Sequence, residues 1–98
     1  MHYNFEWDPN KARSNLSKHG VSFKQAAGVF LDPMTVTVPD PDTSSQEEER
    51  WITLGQAAGQ HYLVVVHTHR EENSDIVSIR IISARRASRH EIRQYEQG

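Results

Sequence analysis

With 98 residues, 36% of them hydrophobic, and a formal charge of −2, the chain has the size of one compact domain spanning 1–98, too small to enclose a deep cavity. A surface groove is the expected site. The absence of cysteine excludes disulfides, thiolate nucleophiles and Cys-based zinc sites. The net charge argues against nucleic-acid binding through overall positive charge. The N-terminal stretch does not join a basic segment to an apolar run, and the longest apolar run, Tyr62 to Val66, is far too short to span a bilayer, so a cytoplasmic protein is expected.

In chain order, His2 to Trp7 alternates between Tyr3, Phe5 and Trp7 on one side and polar residues on the other, which predicts a first strand. Asp8-Pro9 supplies an N-cap and a proline at the first helical position, so a helix is expected from Pro9 to His19, stopped by Gly20. A second short helix should follow Ser22, with Phe23, Ala26, Ala27 and Phe30 at helical spacing. Between Pro33 and Glu49, three prolines and five acidic residues predict a mobile loop with a short extended piece at Thr35 to Val38. Three strands, Arg50 to Ala57, His61 to Arg70 and Asp75 to Ala84, are joined by Ala58-Gly59-Gln60 and by Glu71 to Ser74, connections short enough for antiparallel hairpins. Ser88 and Glu91 form a capping-box pattern that opens a closing helix, with Ile92 and Tyr95 positioned to pack it. The expected fold is α+β, ordered β-α-α-β-β-β-α, with an antiparallel sheet packed by helices on one face.

The basic charge is local. Residues 76–98 carry five arginines (Arg80, Arg85, Arg86, Arg89 and Arg93) against Glu91 and Glu96, whereas residues 1–50 carry five Lys/Arg against eight Asp/Glu. Arg80 interrupts an otherwise apolar strand, where its charge must be paired or face a polar cleft. Arg50 opens the first of the three strands, Arg70 ends the second and Arg85 follows the third, so pairing can gather several guanidinium groups. Such a cluster suits a phosphodiester and the charge that builds on phosphorus under attack; it suits equally a surface network with Glu47, Glu48, Glu49, Glu71 and Glu72. His19 can shuttle protons or cap helix carbonyls. Glu49 can act as a base or orient Arg50, and Tyr95 can stack on a base, donate a proton or pack the core. His67 and His69 place two imidazoles on one strand face, a weak metal signal without an evident third ligand. No phosphate loop, Gly-x-Ser-x-Gly elbow or His-Glu-x-x-His helix is present.

Several segments together carry a family resemblance: Phe5 to Ala12, Asn15 to Phe23, Val29 to Pro33, Glu48-Glu49-Arg50-Trp51, Leu63 to Val66, Arg80 to Arg85, and Tyr95-Glu96. In the same order, over nearly the whole chain, they resemble the BrnT toxins. The resemblance implies a RelE-like fold, ribonuclease activity, and a type II toxin–antitoxin operon whose BrnA antitoxin neutralises the toxin and binds operator DNA through a ribbon-helix-helix domain. By position, it carries the family's charged motif onto His19, Glu49, Arg50, Arg70, Arg80, Arg85 and Tyr95. Glu71 to Asp75, just after Arg70, is more acidic than a phosphate-binding edge favours. The expected activity is therefore metal-independent cleavage of RNA, without cofactor or membrane. Arg80, Arg50, Glu49 and His19 are expected to be catalytic, and Arg85, Arg70 and Tyr95 to bind substrate. The alternative is a non-catalytic binding module that uses the same arginines.

Overall fold

The computed structural model describes residues 2–58 and 61–97; Gly59 and Gln60 of the expected hairpin connection lie outside the described residues. The elements are β1 (His2–Glu6), α1 (Pro9–His19), α2 (Phe23–Ala27) with a following 3-10 turn (Gly28–Leu31), β2 (Val36–Pro39), β3 (Trp51–Ala57), β4 (His61–His67), β5 (Arg70–Glu71), β6 (Ile76–Arg86) and α3 (Arg89–Gln97). The helix boundaries follow the local signals. Asp8 accepts from the Asn10 N–H at 2.9 Å. Gly20 takes the left-handed conformation at φ 69° while its N–H closes on the Leu16 carbonyl, a geometry that glycine enters without a Cβ penalty. Ser88 and Glu91 exchange the two hydrogen bonds of a capping box.

The strands form one sheet in the order β1-β6-β4-β3-β2, with β5 also on β6. The expected strand from His61 to Arg70 is broken into β4 and β5, and three further details differ from the expectation. The sheet is mixed, because β1 runs parallel to β6, pairing His2 with Ile76 through Glu6 with Arg80. The short extended piece expected at Thr35 to Val38 of the acidic loop is present as β2, and it adds to the sheet a strand antiparallel to β3 that the expected element order lacks. The rest of that loop is tied down: the buried Asp40 side chain accepts from the Asp42 N–H and the Thr43 hydroxyl, and Ser44 bonds the Asp40 carbonyl and the Arg50 N–H.

The third difference concerns the helices. Val21, Phe23, Ala26 and Val29 pack on one face of the sheet against Ala57, Leu63, Val65, Val77, Ile79, Ile81 and Ala84. Tyr62 and Val64 alternate with Leu63 and Val65 and so face the other way. It is on that opposite face that α3 lies: Tyr95 meets the Tyr62 ring edge-on at 5.4 Å, and Glu91 and Gln94 border a groove floored by Ile52, Leu54 and Val64. The closing helix has no buried residue.

A bulge in β6 sets which side chains point outward. Val66 pairs with Ser83 but His67 pairs with Ile81, so one extra residue sits in β6 and the inward series Val77, Ile79, Ile81 resumes at Ala84 rather than Ser83. Arg80 and Arg85 therefore share the outer face, about 16 Å apart along the strand.

Candidate active site

The Arg80 end of β6 builds a polar groove of about 240 Å³ lined by Glu6, Glu47, Glu48, Glu49, Thr68, His69, Arg70, Ser78 and Arg80. Sheet register assembles it. Glu6 lies beside Arg80 across the parallel β1–β6 pair and Arg70 beside Ser78 across β5–β6. Past the end of β4, Thr68 and Arg80 exchange bonds, the Thr68 N–H to the Arg80 carbonyl at 3.0 Å and the Arg80 N–H to the Thr68 hydroxyl at 3.2 Å. That clamp fixes the start of the His69-Arg70 segment over the strand.

Arg50 joins through Glu48. The Arg50 Nε–H donates to one Glu48 carboxylate oxygen at 3.1 Å, and the Arg80 guanidinium donates to the other. Hydrogen bonds from Arg50, then Arg80, together with their charges, hold the Glu48 carboxyl below the usual carboxylate range. Two arginines thus grip one anion in the way that they would grip a phosphate. Arg70 pairs with Glu72, its Nε–H donating at 2.7 Å, and remains well exposed.

Of the residues expected from sequence, Arg80, Arg70 and Glu49 line this groove, and Arg50 reaches it through Glu48. His19, Arg85 and Tyr95 lie elsewhere. His19 borders a second groove with Asn10, Lys11, Ser14, Asn15, Lys18, Ile82 and Ser83. Arg85 forms a two-pronged bond with Glu91 at 2.8 and 2.9 Å, a hydrogen bond that with the added charge drives the Glu91 carboxyl down to about 2. Tyr95 donates to Asp32 at 2.7 Å; losing that bond to a carboxylate, with some desolvation, pushes the phenol up to about 12, which makes it a poor proton donor near neutrality. Asp32 in turn accepts the Met34 and Gln56 N–H groups. Arg85 and Tyr95 are thus engaged in pinning α3 to the sheet.

The expected pairing of His67 with His69 on one strand face does not occur. His67 is buried on the core side, edge-on to Phe30, and β4 ends there. Burial lowers its pKa, which favours the neutral ring. Its Nδ1–H donates to the Thr68 carbonyl at 2.9 Å, which leaves Nε2 to accept the Thr53 hydroxyl at 2.6 Å; Thr53 in turn accepts from Thr37. Both ring nitrogens are thereby spent, and neither is open to a metal. His69 is exposed in the arginine groove. In the sequence His69 reads as a weak metal signal or as a polar residue on an exposed strand end; its position next to Arg70 is the signal for this groove. Glu6 and Ser78 had none, because only register places them here.

The chain is thus a small α+β domain that holds two arginines on one carboxylate at the outer sheet face. The chain matches, over residues 7–91, the family model described as "Ribonuclease toxin, BrnT, of type II toxin-antitoxin system". It belongs to that family. Among solved structures it is similar to the Brucella abortus ribonuclease toxin BrnT, at a TM-score of 0.61 and 22% identity, covering 91% of this chain and 100% of that one. No curated protein matches significantly. The α+β class is thereby established, and family membership brings an RNA target and an antitoxin partner. Among the described residues, no helix is long and apolar enough to cross a membrane.

Proposed function

We propose that the chain is a cytoplasmic, RelE-like endoribonuclease that cleaves RNA without metal by directing the 2′-hydroxyl onto the adjacent phosphorus. The observation that carries this reading is the double grip of Arg50 and Arg80 on one carboxylate. A phosphate that displaces Glu48 meets the same donors, and they stabilise the charge that grows on its oxygens. Glu49 takes the proton from the 2′-hydroxyl. The 2′-oxygen bonds to phosphorus as the bond to the 5′-oxygen breaks, and His69 gives that oxygen a proton. The products are a 2′,3′-cyclic phosphate and a 5′-hydroxyl. RNA supplies its own nucleophile, so charge stabilisation and proton transfer suffice. A ribbon-helix-helix antitoxin of the BrnA kind neutralises the enzyme and carries the complex to operator DNA.

Purified protein is expected to cleave RNA in the presence of EDTA, and R80A to lose on the order of 100-fold or more, the usual cost of removing one donor to a developing oxyanion. Strict dependence on added divalent metal, or full activity in R80A, refutes the mechanism. Four glutamates around two arginines in the groove favour one second reading, a non-catalytic module for a protein partner. Growth arrest with falling bulk RNA selects the enzyme, whereas harmless expression without the antitoxin selects the module.

A further inference from the structure

We propose that the groove beside α1 is a second RNA site, holding the backbone of the strand that flanks the scissile phosphate. The proposal rests on the ribonuclease reading and answers a difficulty within it. The arginine groove is lined by Arg70 and Arg80 against Glu6, Glu47, Glu48 and Glu49, two positive charges against four negative. Its arginines are also matched to carboxylates, Arg80 and Arg50 to Glu48 and Arg70 to Glu72. Such a groove can orient a phosphate but cannot draw a polyanion from solution. Attraction must come from another surface.

The groove beside α1 has the needed character. Its volume is about 330 Å³, and Lys11 and Lys18 line it together with Asn10, Ser14, His19 and Ser83, with no acidic residue. Among the described residues, no carboxylate lies within ion-pair distance of either lysine. Lys11, Ser14 and Lys18 recur at three- and four-residue spacing on one helix face. Helix stability accounts for Lys18 and His19, which sit in the last turn and complement the negative end of the dipole. Lys11, in the first turn three residues after the N-cap Asp8, brings a second positive charge to the same helix face as Lys18.

The two grooves are neighbours along β6. Ser78 and Arg80 line the first, Ile82 and Ser83 the second, and Arg80 to Ser83 spans about 10 Å. The β1–α1 corner borders both, with Glu6 in the first and Asn10 and Lys11 in the second. One RNA strand can therefore run from the arginine grip along α1.

The test is fluorescence anisotropy with a 2′-O-methyl oligoribonucleotide, which lacks the nucleophile, across a salt series. K11Q/K18Q is expected to weaken binding and to flatten the log affinity against log salt slope by about 1.4, from roughly 0.7 per charge on a single strand. The kcat/KM advantage of a long RNA substrate over a dinucleotide should shrink in the same variant. K24Q, which removes a charge on α2 outside the groove, should keep the slope. An unchanged slope and length preference in K11Q/K18Q, with wild-type cleavage intact, overturns this proposal alone. If the variant loses affinity for the antitoxin instead, the groove is a protein-docking surface and the proposal fails. Wild-type protein that neither binds nor cleaves RNA overturns the ribonuclease reading and this proposal with it.

Discussion

Asn15 offers the sharpest test of how α1 is held over the sheet. Strand β1 pairs with β6 only as far as Arg80, and Ala84, farther along the same strand, is buried at 1% exposure. The Asn15 side chain substitutes for the missing strand. Its amide donates to the Ala84 carbonyl at 2.8 Å and to the Val21 carbonyl at 2.9 Å, and its oxygen accepts the Ala84 N–H at 3.0 Å. N15A removes all three bonds and leaves three buried backbone groups without that partner. At about 1 kcal/mol net per bond the loss is about 3 kcal/mol, equivalent to a melting-point drop of roughly 12–24 °C for a domain of this size. N15D should be no better at neutral pH, because it keeps the acceptor for Ala84 but turns a carboxylate toward two carbonyls. Thermal unfolding followed by circular dichroism measures both variants. A shift of less than about 3 °C in N15A refutes the view that this amide replaces a strand.

Three further outcomes are expected. The lowered pKa of His67, caused first by burial, means that stability is fully present above about pH 6.5; below it the unfolded chain takes up a proton that the folded one resists. Stability then falls by up to about 1.4 kcal/mol per pH unit until the folded pKa is reached. Urea titrations of H67Q and wild type should differ in that slope, and identical slopes refute the assignment. E48Q should tighten binding of uncleavable RNA about fivefold, close to 1 kcal/mol for a partly exposed charge, by vacating the arginines; weaker binding in anisotropy would show that Glu48 organises rather than occupies the grip. Y95F should lose the bond to Asp32, at a cost of about 1 kcal/mol, yet still cleave RNA, and a large fall in kcat would return Tyr95 to the active site.

Helix ends were legible because their causes are local. Asp8-Pro9, Gly20 and the Ser88–Glu91 box act within one turn, and the observed boundaries follow them. Arg80 was also legible, since an arginine between inward-facing isoleucines demands a polar neighbour. The assignments of His19, Arg85 and Tyr95 to one site with Arg80 were not supported by the geometry. The family motif orders residues along the chain without saying which groove each one faces.

By itself, then, the sequence determined an α+β domain built from amphipathic segments, a BrnT-like set of motifs, and a local excess of arginine within a mildly acidic protein. These are consequences of periodicity, capping and composition. Only tertiary structure decided that β1 runs parallel to β6, that the outer face of the sheet receives α3, and that a bulge near Ile82 restores the outward phase for Arg85. It also decided that Glu48 bridges Arg50 and Arg80, which are thirty residues apart in sequence. The physical reason is register: a shift of one residue in strand pairing sends each side chain to the opposite face. Register is fixed by what the whole core can bury, which no single segment encodes.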